Sequence, residues 1–579
     1  MAPNVDRIIE RNTKLKGMKQ PWLPLYQALA MYVFLRKQYF TIDHLKAPFM
    51  LNLVYDSTAI HAAHMMAASL VGQIMPNPFE SFEFVPQVAQ QGDMDDDEYQ
   101  FFMTVNEVMP AVLSLPDVGM MTSLLECILD MGVFGIGSLC VDETGDYAVP
   151  LRMYSADAKV MSVDEDQNGK VDTVYLEKMM RVGQVVEKYG YDNCSDQVKK
   201  MYDGQQLDAE IKVLQAIEPR RERNPLKLGN LDMKWSSVHV ELDTKHVLKE
   251  SGYNELPIIV ARFWKQVNEI QGRSPAMDAL PDIRAVNKLV ELFEKAGEMG
   301  LDPPKMISSE DVLGAGKIPW GPGVDIPIHT SGRLGTDRRA PIEIIQTVQN
   351  PSWATDRIAD LRANIQEYFM IEYLTDLNNK SRQTLGEANI RNEKGMFITG
   401  SVLNRCLVEL LGPALDRAFN ILLSMGFFGV IRGSTQDMRL QAMGIQPRYI
   451  APSFIVNRMR GLRGYRLNFI SPAARLMKLE EAQGLQDLIQ FATTLGAVKP
   501  NALDVINEDE AIRARQRLNG ASQKVLNSPD QVDQIRQARA QQQQQAQQQQ
   551  EQIMGAHALK LAGAGVKDLA DAGSAANVA

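Results

Sequence analysis

The sequence predicts an α+β fold, and three observations carry that prediction. A turn, Gln271-Gly272-Arg273-Ser274-Pro275, opens an amphipathic run in which Ile283, Val286, Leu289, Val290 and Phe293 recur at helical spacing. From Tyr154 to Ala261 the chain reads instead as a β-rich meander. From Glu387 to about Met425 comes the longest helical signal, with Val402, Leu403, Cys406, Leu407, Leu410, Leu411, Leu415 and Phe419 as its apolar stripe. A chain of 579 residues has length for roughly two to four domains. Its 45% hydrophobic and 23% charged content is ordinary for a globular protein.

Taken in order, the first twenty residues carry Arg7, Arg11, Lys14, Lys16 and Lys19 and lead into a helix from Leu23 to Leu35. Asp56-Ser57-Thr58 starts a further helix that runs to Met75, where Pro76 and Pro78 end it. His61 and His64 lie three apart on that helix. Without an acidic or thiol partner nearby they read as packing residues, not metal ligands. The acidic group Asp93, Asp95, Asp96, Asp97 and Glu98 marks a solvated loop and helix start. A helix from Thr122 to Asp130 then meets Gly132, Gly135 and Gly137 before a strand through Leu139 and Val141. This GxxGxG spacing has no clear preceding strand, so it predicts close helix-to-strand packing, not a dinucleotide loop. Asp164 to Gly169 resembles the opening of a calcium loop, but the position that needs a bidentate glutamate is Tyr175, which leaves a hairpin turn.

Ser274 caps the amphipathic run with Pro275 at its first helical position, and Pro303-Pro304 stops it. The excursion from Met306 to Ile345 is rich in glycine and proline. A phosphate loop ending at Gly316-Lys317 would need glycine at Asp311 and a hydroxyl residue at Ile318, and fails at both. A returning helix, Trp353 to Met370, carries Ile358, Leu361, Ile365 and Phe369 on one face. After the polar break Leu377 to Gln383, the long helical stretch contains Gly412-Pro413, which predicts a kink. From Met438 to Leu479 there is no Asp or Glu, while Arg439, Arg448, Arg458, Arg460, Arg463, Arg466, Arg475 and Lys478 interleave with aromatics. Such a segment suits phosphate contact or an interface with acidic neighbours. Helices follow from near Ala473, with capping patterns at Asn507 and Ser528. The glutamine tract Gln541 to Gln552 reads as a polar helix or as disordered chain.

The net charge of −10 excludes a protein that coats DNA with its whole surface. Four cysteines without a CxxC pair argue for buried free thiols in a reducing compartment. No apolar run is long enough to span a bilayer, and the N-terminus has no signal-peptide pattern, so no membrane insertion is expected. No catalytic residue, metal or cofactor is expected either.

Several of these stretches together resemble one family, the portal or head-to-tail connector proteins of short-tailed bacteriophages. They are Asp56-Ser57-Thr58-Ala59, Asp130 to Val141, Gln271 to Pro275 with Ala276 to Leu289, Leu385-Gly386-Glu387-Ala388, Phe469 to Ala474 and Ser528 to Gln541. The resemblance covers roughly residues 20 to 545 and rests on their order and spacing. It implies a ring-shaped homo-oligomer, usually about a dodecamer, at one capsid vertex of the virion, assembled in the host cytoplasm. Double-stranded genomic DNA would pass through its channel during packaging and ejection.

The same resemblance implies a wing over 1–263 and a first stem helix over 264–301. It implies a clip over 302–346, a second stem helix over 347–371 and a channel loop over 372–386. The long kinked wing helix and basic return segment would occupy 387–472, a helical crown 473–545 and a C-terminal tail 546–579. Expected partners are other copies of the chain, genomic DNA, the terminase large subunit, tail adaptor proteins, and the major capsid and scaffolding proteins. Asn378, Asn379, Lys380 and Arg382 would touch the DNA backbone in the channel loop without reading bases. Lys317, Trp320, Arg333, Arg338 and Arg339 would dock the motor or tail adaptor. Arg448, Arg458, Arg460, Arg463 and Arg466 would meet DNA or a neighbouring subunit. A packaging ATPase or nuclease is disfavoured by the failed phosphate loop. A scaffolding or internal virion protein is the alternative, and the β-rich centre speaks against it.

Overall fold

The computed structural model describes residues 4–37, 54–87, 96–223, 229–308, 321–328, 342–344, 352–374, 399–444, 446–471, 474, 479–498, 506–519, 531–532 and 534–545. Helices α1 (Val5–Lys19), α2 (Leu23–Tyr32), α3 (Thr58–Ile74) and α4 (Pro78–Ser81) lead to strand β1 (Phe82–Pro86). Helices α5 (Asp96–Leu113) and α6 (Met120–Phe134) precede β2 (Ile136–Glu143), β3 (Leu151–Ser155), β4 (Met161–Glu165) and β5 (Val171–Arg181). Two short helices, α7 (Val182–Tyr189) and α8 (Asp196–Asp203), interrupt the strands. Strands β6 (Glu210–Pro219), β7 (Trp235–Glu241), β8 (His246–Tyr253) and β9 (Ile258–Arg262) follow, and then α9 (Pro275–Leu301). The predicted α+β class is what the chain adopts. It divides into two compact units. One takes the described parts of Met1–Phe82, Val108–Phe427 and Phe469–Glu480; the other takes those of Glu83–Glu107, Phe428–Asn468 and Glu481–Ala579.

In the first unit the predicted meander is a five-stranded sheet in sequential order, β4-β5-β6-β7-β8, every pair antiparallel. Alternation along β6 sends Ile211 and Val213 to one face and Leu214 and Ala216 to the other, as the two-residue period of a strand requires. Val182, Val185 and Tyr189 of α7 and Val198 of α8 cover the first face. Ile8 and Leu15 of α1 cover the second. The α7–α8 insertion was absent from the meander prediction. Its signals were the helical spacing of Val182, Val185 and Tyr189 and the cap Ser195, whose hydroxyl accepts from Val198 N–H. The basic N-terminus has a structural use. Arg7, Arg11 and Lys16 pair with Glu218, Asp164 and Glu177 of the sheet. The buried Lys19 ammonium donates to the carbonyls of Ala158, Lys159 and Met161.

The hairpin read at Asp164 to Gly169 is present. Asp166 N–H donates to the Lys170 carbonyl, Gly169 N–H donates to the Asp166 carbonyl, and Gly169 has φ +74°. A second sheet, β3-β2-β9, is antiparallel and lies against α6. The three glycines pack closely as predicted, although Gly132 lies inside α6 and does not end it. Side chains at Gly132 and Gly137 would overlap Met66 and the Cys127 carbonyl. All four cysteines are buried and unpaired. His64 packs edge-on to Phe34.

Strands β10 (Lys305–Ser308), β11 (Asp325–Ile328) and β12 (Ile342–Ile344) form a small sheet beyond α9, with β10 parallel to β11 and antiparallel to β12. Helix α10 (Ser352–Tyr368) then packs on α9, burying Ile358, Leu361 and Ile365. Just before Gly412-Pro413, where a kink is expected, the helix contains a π-helical turn, Cys406–Leu411, and continues as a helix Gly412–Ser424. Gly412 N–H reaches back to the Leu407 carbonyl, five residues earlier. The start of that stretch, 387–398, lies outside the described residues.

One anchor joins α3 to the helix pair. The Asn287 side-chain oxygen accepts the N–H groups of Tyr55 and Asp56 at 2.7 and 3.3 Å. Arg362 grips the Asp56 carboxylate from α10 at 2.7 and 2.8 Å. Burial pushes the Asp56 carboxyl up, but hydrogen bonds from Thr58 and Arg362 outweigh it and hold it below its ordinary range. Asn287→Leu would leave two backbone donors unsatisfied. A loss of about 2 kcal/mol of stability, read from urea unfolding, is the expected result.

In the second unit, β1 pairs with β13 (Tyr465–Phe469). Phe84 packs on Tyr465, while Phe101 and Phe102 of α5 enclose Phe454. The Asn106 side chain binds both backbone groups of Phe84, donating to its carbonyl and accepting from its N–H. Helices Leu479–Val498 and Glu508–Asn519 follow, the latter capped at Asn507 as expected. The polar-helix reading of the glutamine tract holds as far as residue 545.

Candidate nucleic-acid and subunit interfaces

The turn that opens α9 is built residue by residue. Gln271 accepts a hydrogen bond from the buried Tyr26 hydroxyl at 3.2 Å. Gly135 and Gly272 meet backbone to backbone, and a Cβ on either would overlap the other's carbonyl. Arg273 forms a two-pronged pair with Glu269 at 2.7 and 2.9 Å and lies over the Trp22 ring. The Ser274 hydroxyl accepts from Met277 N–H and donates to the Val133 carbonyl at 2.7 Å. Every residue of Gln271 to Ser274 therefore fixes where α9 begins.

Off the apolar stripe of α9, Arg284 and Lys288 are exposed and Glu291 is half-buried. Arg284 lies 5.9 Å from the Tyr32 ring, and Glu291 sits between Lys288 and Lys295 at 2.9 and 2.5 Å. Hydrogen bonds from Lys295 and Lys288 hold the Glu291 carboxyl below its ordinary range.

The basic return segment lies in the second unit. Arg448, Arg458, Arg460, Arg463 and Arg466 are all exposed, Arg458 lying over the Phe454 ring. Exposed methionines share the segment, Met443 at 72% and Met459 at 83%. A cleft of about 720 Å³ runs beside it, with Tyr99, Phe101, Met103, Arg432, Arg448 and Tyr449 among its lining residues. Arg432 stacks over Tyr449 at 4.7 Å, and the Tyr449 hydroxyl donates to Asp437, which also takes Gln441 and Gly433 N–H. Sequence reasoning missed Arg432, which lies just before the acid-free stretch; its signal was the cap Ser434 two residues on. This surface offers guanidinium groups suited to carboxylate or phosphate and thioethers suited to apolar contact, and its described residues include no paired nucleophile and base.

Asn378, Asn379, Lys380 and Arg382, and Lys317, Trp320, Arg333, Arg338 and Arg339, lie outside the described residues. Among the described residues no cluster of three metal-ligating side chains occurs. No single described helix is long and apolar enough to cross a membrane.

Comparison with known proteins agrees with the sequence resemblance. The chain is 23% identical over 553 residues to the probable portal protein of Bordetella phage BPP-1, covering 93% of this chain and 92% of that one. It is 26% identical over 423 residues to the portal protein of Salmonella phage epsilon15, covering 71% and 68%. A family model described as bacteriophage head to tail connecting protein matches residues 5–526. With a match of that extent, the chain belongs to the family of bacteriophage head to tail connecting proteins.

Proposed function

We propose that this chain is a portal subunit: copies of it form a ring at one capsid vertex, the channel for genomic DNA and the platform for motor and tail. The observation that carries the reading is the family match over residues 5–526. In this reading α9 and α10 are the stem, the β10–β12 sheet belongs to the clip, and helices from residue 473 belong to the crown. The channel loop carries Asn378, Asn379, Lys380 and Arg382. The terminase large subunit and tail adaptors dock at the clip, and capsid and scaffolding proteins surround the wing. Negative-stain microscopy of the purified protein tests it. Rings with a central hole are expected; a monomer that hydrolyses ATP on adding DNA would sink the reading.

The return segment is better suited to a neighbouring subunit than to DNA. Exposed Met443 and Met459 gain from burial against protein and gain nothing from a phosphate backbone. Arg460→Glu with Arg466→Glu should therefore cut ring yield at least tenfold in size-exclusion chromatography. Unchanged rings with weaker, less salt-sensitive DNA binding would assign the segment to DNA instead.

A further inference from the structure

On α10, Asp356, Asp360 and Glu367 are exposed and form no ion pair among the described residues. At about 100° per residue they fall within about 40° of arc, on the side away from Ile358, Leu361 and Ile365. Trp353 flanks this stripe and is 66% exposed. On α9, Arg284, Lys288 and Lys295 occupy an equally narrow arc, turned from the buried Ile283, Val286 and Val290, with Leu292 beside them at 51% exposure. Glu291 offsets one of those three cations. Both stripes step by four residues and then seven, so each spans about 16 Å of helix. Because each stripe faces away from its own helix's packing contacts, a single copy does not pair them with each other.

We infer that these two stripes bind one another between copies: the carboxylates of α10 in one copy lie against the cations of α9 in the next. The inference rests on the ring reading above and names the surface that would close it. A contact between two different faces is heterologous, and rotation about an axis carries it round into a ring. Exposed ion pairs are individually weak, so the stripes set register and partner choice while Trp353 and Leu292 supply the apolar contact.

Charge reversal provides the test. D356K/D360K/E367K makes both faces cationic, and R284E/K288E/K295E makes both anionic. Each variant alone should lose the ring peak under conditions where the unmodified chain is fully assembled. Mixed one to one, the two should recover rings. Rings from the D356K/D360K/E367K variant alone, or no recovery on mixing, would overturn the inference; tighter DNA binding by such rings would assign the stripe to the channel. An unmodified chain that never forms rings would instead defeat the portal reading itself. Should the triple variants misfold, Lys288→Cys with Asp360→Cys gives a second measurement. Since the native cysteines are buried, oxidation should yield a ladder of covalent multimers on a denaturing gel, and monomer alone would refute the contact.

Discussion

Gly272→Ala is expected to abolish folding of the first unit, with a loss above about 4 kcal/mol seen as absent soluble protein or collapse of the melting transition. The new Cβ would meet the Gly135 carbonyl and come within 2.9 Å of the Arg262 Cβ. Backbone cannot swing aside as a flexible side chain can. Gly135→Ala should be as severe, since it adds left-handed strain at φ +79° to the same collision. Gly145→Ala is the control: it too has positive φ, +78°, but nothing lies within 4 Å. It should cost only about 1–2 kcal/mol, the strain without the collision. Equal behaviour of all three would show that the glycine contact is not what holds the turn.

Lys37→Met is the second large effect, and it should depend on pH. Asp130 is 1% exposed, and Lys37 holds its carboxylate at 2.6 and 2.8 Å. Burial pushes the Asp130 carboxyl up to about 7 even beside that ammonium. Its folded value lies above the roughly 3.9 of an unfolded aspartate, so the folded state binds the extra proton and this group's contribution to stability falls as pH rises toward 7. Removing Lys37 raises the folded value further. At pH 8, one unit above the folded value of about 7, the unmodified chain's carboxylate is ionised and paired while the variant's carboxyl must stay protonated, so the variant should lose about 1.4 kcal/mol more there than at low pH. Near pH 5.5 the carboxyl is protonated and most of that loss should vanish. Melting curves at the two pH values decide it; a pH-independent deficit would mean that Lys37 acts only through packing. Adding Asp130→Asn should recover the variant at pH 8.

The elements carried by local chemistry were legible: the capped start of α9, the meander, the hairpin at Gly169 and the stripes of α9 and α10. What the sequence could not convey was pairing at a distance. Phe82–Pro86 finds Tyr465–Phe469 across most of the chain, and neither segment names its partner. The Lys37–Asp130 pair was invisible for the same reason. The π-helical turn, by contrast, had a readable signal. Val402, Cys406, Leu410, Ala414, Ala418 and Leu422 recur every fourth residue, and all are buried. Each such step overshoots an α-helical turn by about 40°, so a straight helix would carry the stripe out of the core. A turn closed over five residues takes up that excess. At the candidate interfaces, charge pointed to the basic segment, but only the fold shows that its arginines share the surface with bare methionines.

Helix α9 is buried most deeply toward its start, and α10 packs beside it. All of its buried residues lie between Pro275 and Val290, while the distal turns through Gly297 and Gly300 end at Leu301, 91% exposed. Twenty-seven residues make a rod of about 40 Å. Mechanically α9 and α10 make a two-helix arm whose root includes the paired glycines. A tilt of about 5° at the root would carry the far tip through about 3 Å, given that length. The rigidity of the contacts at that root thus bears on how accurately the β10–β12 sheet, tens of ångströms away, is aimed.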